Sequence, residues 1–285
     1  MSAKELPVID LRLAKGTTRG ALVKQLREAL TDVGFIYLAG VDGCDEGELL
    51  RLTHWFFSLP IETRMKISKK SFNPASDYEY RGYFPVIQGE VSHKEEKIFY
   101  EDNQWPVDPS GDTTFTDYFR MTEASLELLR LISEGFDAPT EFFTPLFTPD
   151  HLSTLRLIHY PPRPHPPESA RVGEVVIQTG EHRDSVMLTL LTTFKQYPGL
   201  QVRWKDDSIL DVPHRPGLLV VNIGMVLAAI SGVPFFLEPR YHGNINIVLP
   251  GGTPTLTTDP EEEVPYGPWI FNKITRFAEY KDLIK

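Results

Sequence analysis

His182 and Asp184, one residue apart in Gly180-Glu-His-Arg-Asp-Ser-Val-Met-Leu-Thr-Leu-Leu191, are the side chains of this chain best suited to hold a metal ion. The apolar run that follows them predicts a β-strand beginning at the pair. Side chains two apart on a strand point to one face, so imidazole and carboxylate can converge. With a second imidazole from elsewhere, they would occupy one face of a six-coordinate ion such as Fe(II) and leave three positions open for reactants. An isolated His-x-Asp also occurs as a solvated loop pair, so the surrounding sequence has to decide between the two.

Several elements could position the pair. A short strand is predicted at Leu6 to Leu11, a helix over Arg19 to Leu30 ending at Thr31-Asp-Val-Gly34, and a strand at Phe35 to Leu38. Glu46 to Phe57 reads as helical, and Pro60-Ile-Glu-Thr as the first turn of a short helix. Asn73 to Asn103 is polar and reads as a long loop, while Thr116 to Phe136 has the longest helical pattern. From Leu155 the texture changes to β-rich runs between Pro and Gly turns: Leu155 to Tyr160, Val175 to Gln178, Met187 to Thr192, Leu200 to Trp204, Leu218 to Ile223 and Val233 to Leu237. Such spacing without intervening helices predicts an antiparallel sandwich or jelly roll. Tyr266 to Tyr280 has helical character.

Composition narrows the classes. The chain has 285 residues, 41% hydrophobic and 24% charged, as ordinary globular proteins do. A net charge of −10 opposes a nucleic-acid surface, which needs clustered Lys and Arg. Cys44 is the only cysteine, so no internal disulfide forms, and no signal-peptide pattern opens the chain; a cytoplasmic setting is expected. Gly217 to Leu237 carries no charge, but Asn222, Ser231 and Pro234 within it favour a buried pair of strands over a membrane span.

Ordered motifs run through nearly the whole chain. They are Leu-Pro-Val-Ile-Asp-Leu at 6–11, Asp-Val-Gly-Phe-Ile-Tyr-Leu at 32–38, Phe56-Phe-Ser-Leu-Pro60 and Arg81-Gly-Tyr83. Leu155-Arg-Leu-Ile-His-Tyr-Pro-Pro162, His182-Arg-Asp-Ser185, Pro198-Gly-Leu-Gln-Val202 and Pro216-Gly-Leu-Leu-Val-Val-Asn-Ile-Gly224 follow. In this order they resemble the Fe(II)/2-oxoglutarate-dependent dioxygenases, specifically the isopenicillin N synthase-like branch. The resemblance implies a mainly β fold with α elements: a double-stranded β-helix (jelly-roll) core, N-terminal helices packed outside and a C-terminal helix. It divides the chain into an N-terminal region at 6–118, a core at 150–253 and a C-terminal helix at 264–283. It implies an oxidoreductase that couples decarboxylation of 2-oxoglutarate and use of O2 to hydroxylation or desaturation of a small organic substrate. His182 and Asp184 match the first two iron ligands, and Tyr160 matches a hydroxyl that helps to hold 2-oxoglutarate.

The match breaks after Gly224. The family continues there with Asp, a strand, His-Arg-Val carrying the second His ligand, and Arg-x-Ser, whose Arg pairs with 2-oxoglutarate. Here Val233 to Pro239 already matches the stretch that follows Arg-x-Ser. A deletion of a strand, its turn and the returning strand, on the order of 15–20 residues, accounts for this and for the long apolar run at 217–237. His242 is then the candidate third ligand, although Gly243 to Thr275 contains no Arg to follow it. A second reading therefore stands beside the enzyme: a catalytically impaired, truncated form of the same family.

Overall fold

The computed structural model describes residues 4–79, 81–99, 116–227, 239, 241–247, 249–250, 256–257, 259 and 261–274. The chain divides into two compact units. The first comprises Met1–Glu46, Thr116–Ser153 and Arg183–Ile270; the second comprises Gly47–Phe115, Thr154–His182 and Phe271–Lys285.

The first unit is built on a four-stranded sheet. β1 (Val8–Asp10) runs parallel to β2 (Phe35–Ala39). β11 (Leu219–Ile223) lies antiparallel to both β2 and β8 (Leu188–Leu191), pairing Asn222 with Thr189 and Ile223 with Leu188. The strand order is therefore β1-β2-β11-β8. All five residues of β11 are buried, which is why its sequence shows no polar alternation. α1 (Arg19–Asp32) buries Leu22, Leu26, Ala29 and Leu30, the helical spacing of one apolar stripe, and packs on α4 (Thr116–Gly135). Arg19 joins the two helices through Glu127 at 2.6 Å and Glu134 at 2.8 Å. A hairpin of β9 (Gln201–Arg203) and β10 (Ile209–Asp211) adds Val202 to a core of Leu6, Tyr37, Val212 and Val220.

The second unit carries a three-stranded antiparallel sheet of β3 (Gly82–Phe84), β4 (Glu95–Phe99) and β5 (Leu155–His159), with β4 in the middle. α2 (Glu46–Ser58) and α3 (Ile61–Met65), the latter capped by Pro60, supply a core in which Phe56 and Ile67 meet Tyr83. A small hairpin joins β6 (Arg171–Val172) to β7 (Val175–Val176).

Several local expectations change. The polar stretch 73–103 is no simple loop: it supplies β3 and β4. Local pattern hid β4 because its glutamates find partners in other elements, Glu95 in Arg64 of α3 and Glu96 in Arg156 of β5 at 3.8 Å, beside the adjoining Lys94. The strand expected to begin at His182 and Asp184 starts only at Leu188. Its partner β11 ends at Ile223, and residues 225–227 are helical rather than extended, so the ladder has nothing regular to pair with further out. Of the pair of strands expected within 217–237, the first is β11 and residues 225–227 after it are helical; the second, Val233 to Leu237, lies outside the described residues. The C-terminal helix is α5 (Tyr266–Ile274), and the rest of the expected tail helix also lies outside them.

Candidate metal centre

Asp184 belongs to the first unit and is held from three directions. Its Oδ2 accepts hydrogen bonds from the Thr189 hydroxyl at 3.1 Å and, more weakly, from the Asn222 amide at 3.4 Å. Its carbonyl accepts from the Met225 N–H at 3.1 Å, while Val226 donates to the Val186 carbonyl at 3.4 Å. The first amides of the helical turn at 225–227, which have no partner within a helix, thereby pin the segment leading into β8.

His182 ends the second unit's central stretch and is exposed. Its Nδ1 stands 2.9 Å from the Gly180 carbonyl. With the proton on Nδ1, a neutral imidazole here carries its lone pair on Nε2, the tautomer in which a histidine can bind a metal. Four and three residues earlier, Gln178 Oε1 and Thr179 Oγ1 are buried without a hydrogen-bond partner among the described residues. Buried polar oxygens of this kind call for a water or a ligand.

The donor chemistry of these two residues fits a divalent cation: a neutral imidazole with its tautomer fixed, and an oriented carboxylate. Among the described residues, no three His, Cys, Asp or Glu side chains are grouped to hold a metal. His242, in the first unit, is exposed in a turn, its ring edge-on to Tyr241 at 4.8 Å and 80°. The turn is docked on α5: the Gly267 amide donates to the Tyr241 carbonyl at 2.7 Å, and a Cβ at Gly267 would lie 2.2 Å from the Tyr241 ring.

In the second unit Tyr160 follows β5 and is 44% exposed. Beside it, His159 Nδ1 meets Glu95 Oε1 at 2.8 Å, and the other oxygen of Glu95 accepts from both Arg64 and Tyr83. Burial raises the Tyr83 phenol above its ordinary range, and the neighbouring Glu95 adds to the effect. Lys97 lies two residues along β4, 2% exposed, and burial pulls its ammonium down to about 8.

Sequence reasoning found the ligand candidates and missed what orients them. Asn222 carried a usable signal: it is the only polar residue in an otherwise apolar, fully buried strand. Nothing local marked Thr189, Arg64 or Glu95.

Two family models match the chain. The N-terminal model of non-haem dioxygenases, described from morphine synthesis, covers residues 6–113, and the 2OG-Fe(II) oxygenase superfamily model covers 151–242. The chain is 28% identical over 254 residues to the 2-oxoglutarate-dependent dioxygenase frbJ of Dothideomycetidae sp., an alignment covering 81% of this chain and 67% of that protein. It is 26% identical over 331 residues to homoarginine-6-hydroxylase 2-ODD-C23.2 of Arabidopsis thaliana, covering 96% and 89%. Both alignments are longer than the share of this 285-residue chain they contain, so some positions are filled only in the relatives. The fold is that of a full-length Neurospora crassa protein in complex with alpha-KG and 5-formyluracil, at a TM-score of 0.74, 21% identity, and coverage of 95% and 96%.

Proposed function

The chain belongs to the Fe(II)/2-oxoglutarate-dependent oxygenase superfamily, and we propose that it couples oxidation of a small organic substrate to decarboxylation of 2-oxoglutarate. The balance for hydroxylation is one O2 divided between succinate and the hydroxylated product, with CO2 released. In this reading His182 and Asp184 hold the iron with His242 as the third ligand, and the Tyr160 hydroxyl contacts 2-oxoglutarate. The segments 6–118, 150–253 and 264–283 serve as helical N-terminal region, jelly-roll core and closing helix.

The carrying observation is that the two family matches follow one another in order along the chain and that the second, over 151–242, contains His182, Asp184 and His242. Iron held by His182, Asp184 and His242 would supply the activation of O2 needed to oxidise the substrate. The chain's own contribution is orientation. Gly180 fixes the His182 tautomer, and Thr189 and Asn222 hold one oxygen of Asp184.

No described helix is long and apolar enough to cross a membrane. A cytoplasmic location and small-molecule partners, without nucleic acid, complete the proposal.

Succinate formed from 2-oxoglutarate by iron-loaded protein is the direct test. Wild-type turnover, with Asp184→Ala reduced to background, is the expected result. Wild-type turnover no higher than that control ends the reading and leaves the impaired form.

A further inference from the structure

We infer that Thr189 and Asn222 are positioning residues that fix the Asp184 carboxylate for metal binding, an inference that rests on the proposed role of Asp184. Thr189 on β8 and Asn222 on β11 are paired directly across the antiparallel ladder, so their side chains stand on one face. Both reach back to the same atom, Oδ2 of Asp184, at 3.1 and 3.4 Å. Asp184 itself lies outside any strand. Two residues of the sheet thus reach the carboxylate of a segment that is itself irregular.

Asn222 supports the assignment from the other side. It is 9% exposed, flanked by Val221 and Ile223, in a strand that otherwise buries only apolar side chains. A buried amide at such a place is costly unless it is hydrogen-bonded, so a fully apolar strand would serve the core better. The amide is accounted for by what it holds. The backbone clasp continues the same arrangement: the Gly224, Met225 and Val226 amides bond to the carbonyls of Met187, Asp184 and Val186. The segment just after β11 thus grips the one just before β8, and the two side-chain bonds sit at the centre of that grip.

A carboxylate with one oxygen tied to fixed donors has fewer rotamers to lose on meeting a cation. Outer partners of this kind typically carry roughly 10–100-fold in metal affinity. A purely structural role for Thr189 and Asn222 predicts lost stability and unchanged metal binding; a positioning role predicts the reverse.

The test is calorimetric titration of the full chain with Co(II), an air-stable stand-in for Fe(II). Thr189→Val keeps the β-branched shape and removes the hydroxyl. It should weaken Co(II) binding about 10-fold or more at an unchanged melting temperature. Thr189→Ser should restore binding, and Asn222→Leu should act in the same direction as Thr189→Val. A crystal structure of metal-free Thr189→Val should show the Asp184 side chain turned from its wild-type rotamer, a readout independent of metal. If Asp184→Ala loses Co(II) while Thr189→Val binds as wild type with Asp184 unmoved, the positioning inference alone is overturned. If Asp184→Ala binds Co(II) as tightly as wild type, the proposed role of Asp184 fails, and this inference fails with it.

Discussion

A few charged side chains of the second unit are buried. Arg64 and Glu95 have side-chain exposures of only 11% and 8%, and Tyr83 and His159 complete the cluster around the same carboxylate. Removing one partner leaves the other charge buried and uncompensated. Glu95→Ala should therefore cost about 3–5 kcal/mol in denaturant unfolding, whereas Tyr83→Phe should cost about 1–3 kcal/mol. Lys97 gives a prediction with a pH signature. Burial lowers its folded pKa to about 8 from an ordinary 10.5, so below pH 8 the fold carries the full penalty of a buried ammonium. Between about pH 8 and 10.5 the unfolded chain binds more protons than the folded one, and stability rises with pH. Lys97→Met should thus be the more stable protein at pH 7, by a few kcal/mol at most. Its advantage over wild type should shrink across that window in melting curves. An advantage that does not change with pH would contradict this assignment of burial as the cause.

Two glycines decide how elements meet. Gly82 opens β3 at φ +100°, and a Cβ there would lie 2.3 Å from the Ile67 carbonyl. The contact is close because the Tyr83 amide donates to that carbonyl at 2.9 Å, tying β3 to the chain after α3. Gly82→Ala has both the wrong backbone conformation and a clash with main chain, and should lower stability by more than about 1 kcal/mol. Gly267 acts through a side chain instead. Its replacement by Ala drives the Tyr241 ring off the first turn of α5, and the turn bearing His242 moves with it. If His242 is the third ligand, Gly267→Ala should weaken Co(II) binding with little loss of α5. Unchanged affinity would remove His242 from the ligand set. At this scale the sequence was legible where burial is one-sided: α1, α2, α4, β2 and β11 appear within a residue or two of their apolar patterns. It was illegible at β4, whose Glu-Glu-Lys start reads as solvated until Arg64 and Arg156 are brought to it.

Across the whole chain, the break after Gly224 bears most directly on activity. The family positions for a second His ligand and an anchoring Arg have no counterpart there, and residues 225–227 turn into a helix where the pattern calls for strands. Grafting a segment of about 20 residues with His-Arg-Val and Arg-x-Ser between Gly224 and Gly232 should tighten 2-oxoglutarate binding by at least about 10-fold. An anionic cosubstrate gains its charge partner in that graft, and titration calorimetry reads the change. No gain in affinity would mean that other cations of this chain already anchor it. Read alone, the sequence supplied the family resemblance, the order of the elements and the candidate ligand pair, because each depends on residue type and spacing along the chain. Only the tertiary structure decided that His182 and Asp184 precede their strand, that Thr189 and Asn222 hydrogen-bond the Asp184 carboxylate, and that Arg64 and Arg156 reach the β4 glutamates. Those facts depend on where strands end and which distant side chains arrive, and spacing within one segment carries no record of either.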